Sequence, residues 1–292
     1  MRIAISFNGG KESLVVLHQY MSICKVIFTV EDENDFPEIK EYVKHITRVY
    51  NIKLLRFKNM SESIIRLKEK FNINTIILGC RRTDPNCQNL DIVSPTDKNW
   101  PFILRFNPLI DWTYGDVWKY IVENNLPICS LYENGYTSIG NKNNTFPNYN
   151  LYQNGKFIHA KYLLNWESER EGRIKNIIRS FSGKVIHGKG LGKGLGFPTA
   201  NLDCKINLDE GVYFGNCFLR NVWYKMVMSV GKNPQFDDVS LEVHILNKFT
   251  EDFYDEELTV NVKGFIRKMR KYDNQGLISA INKDIEISLL NL

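Results

Sequence analysis

Residues 2–24 read RIAISFNGGKESLVVLHQYMSIC, and the first half of the chain takes its fold from this stretch. Arg2 to Ser6 is a short apolar strand, Phe7-Asn8-Gly9-Gly10-Lys11-Glu12-Ser13 a glycine turn, and Leu14 to Cys24 an apolar-periodic helix. Strand, glycine turn and helix N-terminus in that order aim free backbone N–H groups at one point, which suits phosphate oxygens. The alternation continues with strands at Lys25–Val30, Lys53–Phe57 and Thr75–Leu78 and helices at Phe36–Tyr50 and Ser61–Phe71. In the first of these helices Phe36, Ile39, Val43, Ile46 and Tyr50 fall three or four apart and form one apolar stripe. Such alternation predicts an α/β fold with a doubly wound parallel sheet, whose ligands lie beyond the C-terminal ends of the strands.

Two turns meet at that edge: Ser6 to Lys11, and Gly79-Cys80-Arg81-Arg82-Thr83-Asp84-Pro85 after the last strand. The ordinary role for Arg81, Arg82 and Asp84 is a surface ion-pair cluster. Beyond them come Trp100-Pro101, Arg105, a helix from Tyr114 to Asn125 with Thr113 as its N-cap, and the segment Cys129 to Gly140. The half closes on Glu167-Ser168-Glu169-Arg170-Glu171-Gly172-Arg173, where a solvated helix face would pair Arg170 and Arg173 with neighbouring glutamates.

Past a junction near Arg179 to Ser182 the periodicity becomes two. Tyr224, Met226, Met228 and Val230 alternate with Lys225, Val227 and Ser229; Val239, Leu241, Val243 and Ile245 alternate with Ser240, Glu242 and His244; Leu258, Val260 and Val262 alternate with Thr259, Asn261 and Lys263. Successive strands without intervening helices predict an antiparallel sheet or small barrel. A final helix carries Leu277, Ile281, Ile285 and Leu289 at four-residue spacing. By alternation alone, Glu242 and His244 are exposed strand residues.

Between the halves, residues 183–202 read GKVIHGKGLGKGLGFPTANL. Glycines at 188, 190, 192, 194 and 196 let backbone N–H groups converge on an anion, with Lys189 and Lys193 beside them. Neither GxxxxGK[ST] nor GxGxxG can be laid over them, so the register fits neither a Walker A nor a dinucleotide loop. Pro198 stiffens the chain before Thr199 and Asn201, which project the same way from an extended segment and offer two neutral oxygens to a hard cation such as Mg²⁺. The plain alternative is a flexible turn leading into a strand.

The chain has 292 residues, a two-domain length, and 43% apolar with 24% charged residues is ordinary for a soluble globular protein. Residues 1–179 carry 24 basic against 19 acidic side chains and the remainder 14 of each, so the basic excess belongs to the first half. It suits a polyanionic ligand but lacks the clustered patches of nucleic-acid binding. No signal peptide and no membrane span are visible, and six scattered cysteines without zinc spacing read as reduced packing residues, so a cytoplasmic protein is expected.

SFNGGKES, GCRRTDP, Trp100 with Arg105, CSLYENGYTSIG and Arg170-x-x-Arg173 come in the order of eukaryotic-type FAD synthases, FMN adenylyltransferases of the PAPS-reductase-like fold, which residues 1–179 resemble. The resemblance implies that Ser6, Asn8, Gly9, Gly10 and Lys11 hold ATP and its phosphates, that Asp84 lies at the flavin and metal site, and that Arg81, Trp100, Arg105, Arg170 and Arg173 line the flavin and phosphate pocket, Asp84 and Arg173 being catalytic. Glu12 departs from it, standing where the family has Asp. Residues 180–292 resemble riboflavin kinases through GFPTANL, Gly211-Val212-Tyr213-Phe214-Gly215, Ser229 to Pro234, LEVHIL and Glu251-Asp252-Phe253-Tyr254. That likeness implies that Thr199 and Asn201 carry Mg²⁺, that the loop with Gly188, Gly190, Lys193 and Gly194 wraps the ADP phosphates, and that Glu242 is the catalytic base.

The two resemblances imply a bifunctional enzyme making FMN from riboflavin and ATP, then FAD from FMN and ATP, with small-molecule ligands and neither nucleic-acid, membrane nor obligate protein partners. Residues 180–292 alone are expected to fold and phosphorylate riboflavin. The rival readings are an ATP-pyrophosphatase-type enzyme of sulfate reduction or RNA thiolation, and a decayed flavin- or nucleotide-binding regulator.

Overall fold

The structure, a computed structural model, describes residues 2–175, 180–188, 190–232 and 239–292. Lys189, Asn233-Pro234 and Arg179, all invoked above, lie outside the described residues. The chain forms two compact units that interleave in sequence: Met1–Lys142 with His159–Glu169, and Asn143–Ile158 with Arg170–Leu292. The stretch ahead of the expected division at 180 is therefore shared between them.

In the first unit the elements run β1 (Ile3–Ser6), α1 (Lys11–Tyr20), β2 (Val26–Val30), α2 (Pro37–Val49), β3 (Leu54–Phe57), α3 (Met60–Phe71), β4 (Thr75–Ile77), β5 (Val93–Pro95), β6 (Leu104–Phe106) and α4 (Tyr114–Glu123). The sheet order is β3-β2-β1-β4-β6-β5, parallel except for the antiparallel edge strand β5. Because β1 pairs with β2 on one side and β4 on the other, the strand order reverses at β1, and a crevice opens at its C-terminal end. Ala4, Phe28, Phe57, Ile64, Leu67, Ile73, Ile76 and Ile103 form the core under α3. The expected stripe on α2 is buried at Ile39, Val43 and Ile46. Thr113 caps α4 in a reciprocal capping box with Asp116.

One boundary bears on function. The first helix begins at Lys11 rather than Leu14, because Gly10 is extended and serves as its N-cap, and it ends at Tyr20 in a short 3₁₀ turn. Lys11 is thus the first residue of α1 and its side chain turns into the interior.

In the second unit a hairpin of β7 (Tyr152–Gln153) and β8 (Lys156–Phe157) precedes β9 (Ser180–Ile186), one helical turn α5 (Leu191–Gly194), β10 (Ala200–Asp203), β11 (Gly211–Leu219), β12 (Val222–Lys232), β13 (Val239–Ile245), β14 (Glu257–Arg267) and α6 (Asn274–Asn291). Six antiparallel strands close a barrel in the order β10-β13-β12-β11-β14-β9. Its interior takes the expected alternate residues: Met226, Met228 and Val230 from β12, Leu241, Val243 and Ile245 from β13, and Leu258, Val260 and Val262 from β14.

The last helix keeps the expected face only in part: Leu277 and Ile281 are half-buried and Ile285 packs against the core. Leu289 is half exposed, and α6 buries Ala280, Asp284, Ile287 and Ser288. The cause is a bidentate ion pair from Arg267 of β14 to Asp284, at 2.9 and 2.8 Å, which fixes the helix rotation. Among the described residues no helix is long and apolar enough to cross a membrane, and all six cysteines are free.

Candidate active sites

At the crevice beyond β1, Gly9 has φ +82°, and a Cβ there would lie 3.0 Å from Val43 Cγ2, so the turn needs glycine both for its conformation and for its closeness to α2. Asn8 Oδ1 accepts from the Gly10 amide at 3.0 Å, holding the turn open toward solvent. A cleft of about 170 Å³ runs from Asn8 and Gly10 past Thr29, Val30, Asp35 and Gly140. Ser6 sits half-buried at the strand end, opposite Phe28.

Behind this turn lies a buried group of four charges. Lys11 Nζ is 2.6 Å from Glu169 Oε1, 2.9 Å from Glu12 Oε1 and 3.0 Å from the Thr137 carbonyl. Its backbone N–H donates to Tyr132 Oη at 2.8 Å, and the ammonium stands 5.1 Å from the Tyr114 ring centroid. Arg81, 1% exposed, donates through Nε to Glu12 Oε1 at 3.1 Å and through a terminal nitrogen to Glu169 Oε2. Burial alone would lower the Lys11 pKa, but Glu12 and Glu169 reverse that and raise it. Burial likewise opposes the charge on Glu12, yet Lys11 and Arg81 hold its carboxyl below the ordinary carboxylate value. Two cations and two anions are thus paired here.

Asp84 closes the turn after β4. Its Oδ2 accepts from the Arg81 amide at 2.9 Å, and burial, reinforced by Glu12 and Glu169, pushes its acid above the ordinary value. Arg82 is exposed and pairs with Asp111, the surface role expected of this cluster. Trp100 packs against the core. Arg105 donates to the Pro95 carbonyl at 2.6 Å and to Asp97 at 3.2 Å, while its Nε is buried with no hydrogen-bond partner. Arg170 and Arg173 belong to the second unit, where Arg173 bridges Thr145.

In the second unit the antiparallel register sets Asn201 opposite Glu242, and Thr199 Oγ1 donates to Glu242 Oε2 at 3.2 Å. A Cβ on Gly188 would lie 2.0 Å from Asn201 Nδ2, so the loop entrance rests directly on that carboxamide. Gly190 and Gly196 have φ +69° and +89°, and nothing lies near a Cβ built at Gly190, Gly194 or Gly196. That face, with exposed Lys193, is open to a phosphate-sized ligand. His244, read as a plain strand residue, donates from Nδ1 to the Pro198 carbonyl at 2.8 Å and steadies the chain just before Thr199.

The structure sets Thr199, Asn201 and Glu242 beside one another, and it adds Glu169, Tyr132 and His244, none of which the sequence singles out. Glu169 sits in a run of alternating charges with nothing local to distinguish it from its solvated neighbours.

Residues 178–290 match the riboflavin kinase family model, and residues 2–69 and 58–147 match that of the phosphoadenosine phosphosulfate reductase domain. A probable FAD synthase of Schizosaccharomyces pombe is 34% identical over 60% of this chain and 73% of its own. A probable FAD synthase of Caenorhabditis briggsae is 36% identical, and the chain spans 30% of its length. Mouse riboflavin kinase is 40% identical over 36% of this chain and 74% of its own. Among solved structures, Candida glabrata FMN adenylyltransferase in complex with ATP is 25% identical with a TM-score of 0.55, over 60% of this chain and 80% of that one.

Proposed function

Because this chain belongs to the FAD synthase family through its first part and to the riboflavin kinase family through its last, we propose that it makes FAD from riboflavin in two ATP-dependent steps. The barrel unit phosphorylates riboflavin to FMN, and the parallel-sheet unit transfers an adenylyl group from ATP to FMN with release of pyrophosphate. The observation that carries this reading is that one chain holds both family matches, the product of one reaction being the substrate of the other.

In the kinase step the riboflavin 5′-hydroxyl attacks the γ-phosphorus of ATP, the bond to the bridging oxygen breaks with ADP leaving, and the hydroxyl must lose its proton. Glu242 is the base that accepts it, held in place by Thr199 and by its register with Asn201. Thr199 Oγ1, the Asn201 carboxamide oxygen and the Glu242 carboxylate are an all-oxygen set of the kind a hard cation takes. Thr199 and Asn201 would hold Mg²⁺, which when bound offsets charge on the phosphates. The open glycine face receives the phosphates through backbone N–H groups.

The adenylyl step needs no base, since the FMN phosphate is already a nucleophile at neutral pH. What it needs is alignment of two polyanions. Backbone N–H groups of the Asn8–Lys11 turn at the head of α1 take the ATP phosphates, with the nucleoside in the adjacent cleft. Asp84 and Arg105 are the residues of this unit that serve the flavin side. The free cysteines suit a reducing, cytoplasmic setting.

Incubating the protein with riboflavin, Mg²⁺ and ATP should yield FMN and then FAD. Formation of neither product by folded protein refutes the reading, and FMN without FAD refutes its second half.

A further inference from the structure

We propose that Glu169 is a positioning residue for adenylyl transfer, and that Lys11 and Arg81 are clamps bound to it rather than phosphate ligands. The inference rests on the adenylyl-transfer reading of the first unit. Glu169 is 7% exposed, and each of its oxygens holds a different cation: Oε1 takes Lys11 at the first turn of α1, and Oε2 takes Arg81 in the turn after β4. Its own carbonyl accepts from Thr137 Oγ1 at 2.5 Å, and the Thr137 carbonyl accepts from Lys11 Nζ. One carboxylate therefore ties together the phosphate turn, the turn that presents Asp84, and the segment around Thr137.

Glu12 alone cannot do this. Its Oε1 reaches both cations, but it sits on the same helical turn as Lys11 and so joins α1 only to the loop of Arg81. The long-range tie to residues 159–169 runs through Glu169. With both cations paired to carboxylates, the charge that meets ATP at this turn comes from the backbone N–H groups, and the side chains behind them fix where those groups point.

The test is a double-mutant cycle in the full chain, reading FAD formation from supplied FMN and ATP, with FMN formation from riboflavin as the internal control. Glu169→Gln should lower kcat for FAD formation at least tenfold, with the KM for ATP moving less and kinase activity unchanged; Glu169→Asp should recover part of the loss. Lys11→Met combined with Glu169→Gln restores charge balance in the interior, and should be no more impaired than Lys11→Met alone, because Lys11 acts through Glu169. Additive losses would instead make Lys11 a ligand of the phosphates and overturn the proposal. Loss of kinase activity in parallel, in the charge-balanced double variant, would overturn it too, since the four charges would then support folding rather than the site. If the unsubstituted protein makes no FAD, the functional reading itself has failed.

Discussion

Thr199 Oγ1, one residue ahead of β10, donates a hydrogen bond to Glu242 Oε2 of β13 at 3.2 Å, across 43 residues of sequence. The contact fixes the carboxylate against the open glycine face, where a phosphoryl donor can approach it. Glu242→Gln keeps the shape and removes the base. FMN formation should fall by about 10²- to 10⁴-fold, while FAD synthesis from supplied FMN is retained. Equal loss of both activities in a folded variant would contradict this division of labour.

Gly188 offers a test that removes no oxygen ligand. An added Cβ would lie 2.0 Å from Asn201 Nδ2, so Gly188→Ala must displace either the loop or the carboxamide. A shift of that size costs about 10²-fold in rate when it misaligns reacting groups. Steady-state kinetics of riboflavin phosphorylation should show the loss, with adenylyl transfer untouched; wild-type kinase kinetics in this variant would remove Asn201 from the site.

Glu12 connects the first unit's stability to pH. Its folded pKa is depressed below the ordinary 4.5 by Lys11 and Arg81 acting against burial. The stabilisation is therefore complete above the unfolded value and is lost as pH falls through the lower folded one. In Glu12→Gln two buried cations share one carboxylate, and the first unit should lose about 3 kcal/mol. Denaturant titrations from about pH 3 to pH 6 should also become flatter than in the unsubstituted protein. An unchanged slope would mean that Glu12 is not held charged by its neighbours.

Residues 143–158 bear on where the kinase unit begins. Phe146 packs on Phe265 at 6.2 Å between ring centroids, and Lys283 Nζ lies 4.0 Å over the Tyr149 ring while donating to its carbonyl at 3.1 Å. A piece comprising 180–292 keeps the whole barrel and all of Thr199, Asn201 and Glu242, so it should phosphorylate riboflavin. It should also unfold at lower denaturant than the barrel in the full chain, followed by Trp223 fluorescence. Equal midpoints would mean these contacts add nothing.

Both fold classes were legible in the chain because they rest on local periodicity: the 3.6-residue stripe of Ile39, Val43 and Ile46, and the two-residue alternation of β12, β13 and β14. The face of α6 was legible only in part. Its four-residue row of Leu277, Ile281, Ile285 and Leu289 is a valid apolar stripe, but an ion pair with a residue on another element selected the adjacent face.

The order of the elements, the glycine turn at the head of α1, and the spacing that sets Thr199 and Asn201 on one side of an extended segment can all be read along the chain. Backbone conformation and side-chain alternation depend on near neighbours, so both can be read along the chain. What the charges do is set by the fold in space. Lys11 and Arg81 carry the same formal charge whether they face a phosphate or a carboxylate, and the choice depends on Glu169, which lies 158 residues from Lys11 in the chain and 2.6 Å from it in space. Coulomb energy falls with distance through space and grows with burial, and neither quantity is written in the order of residues.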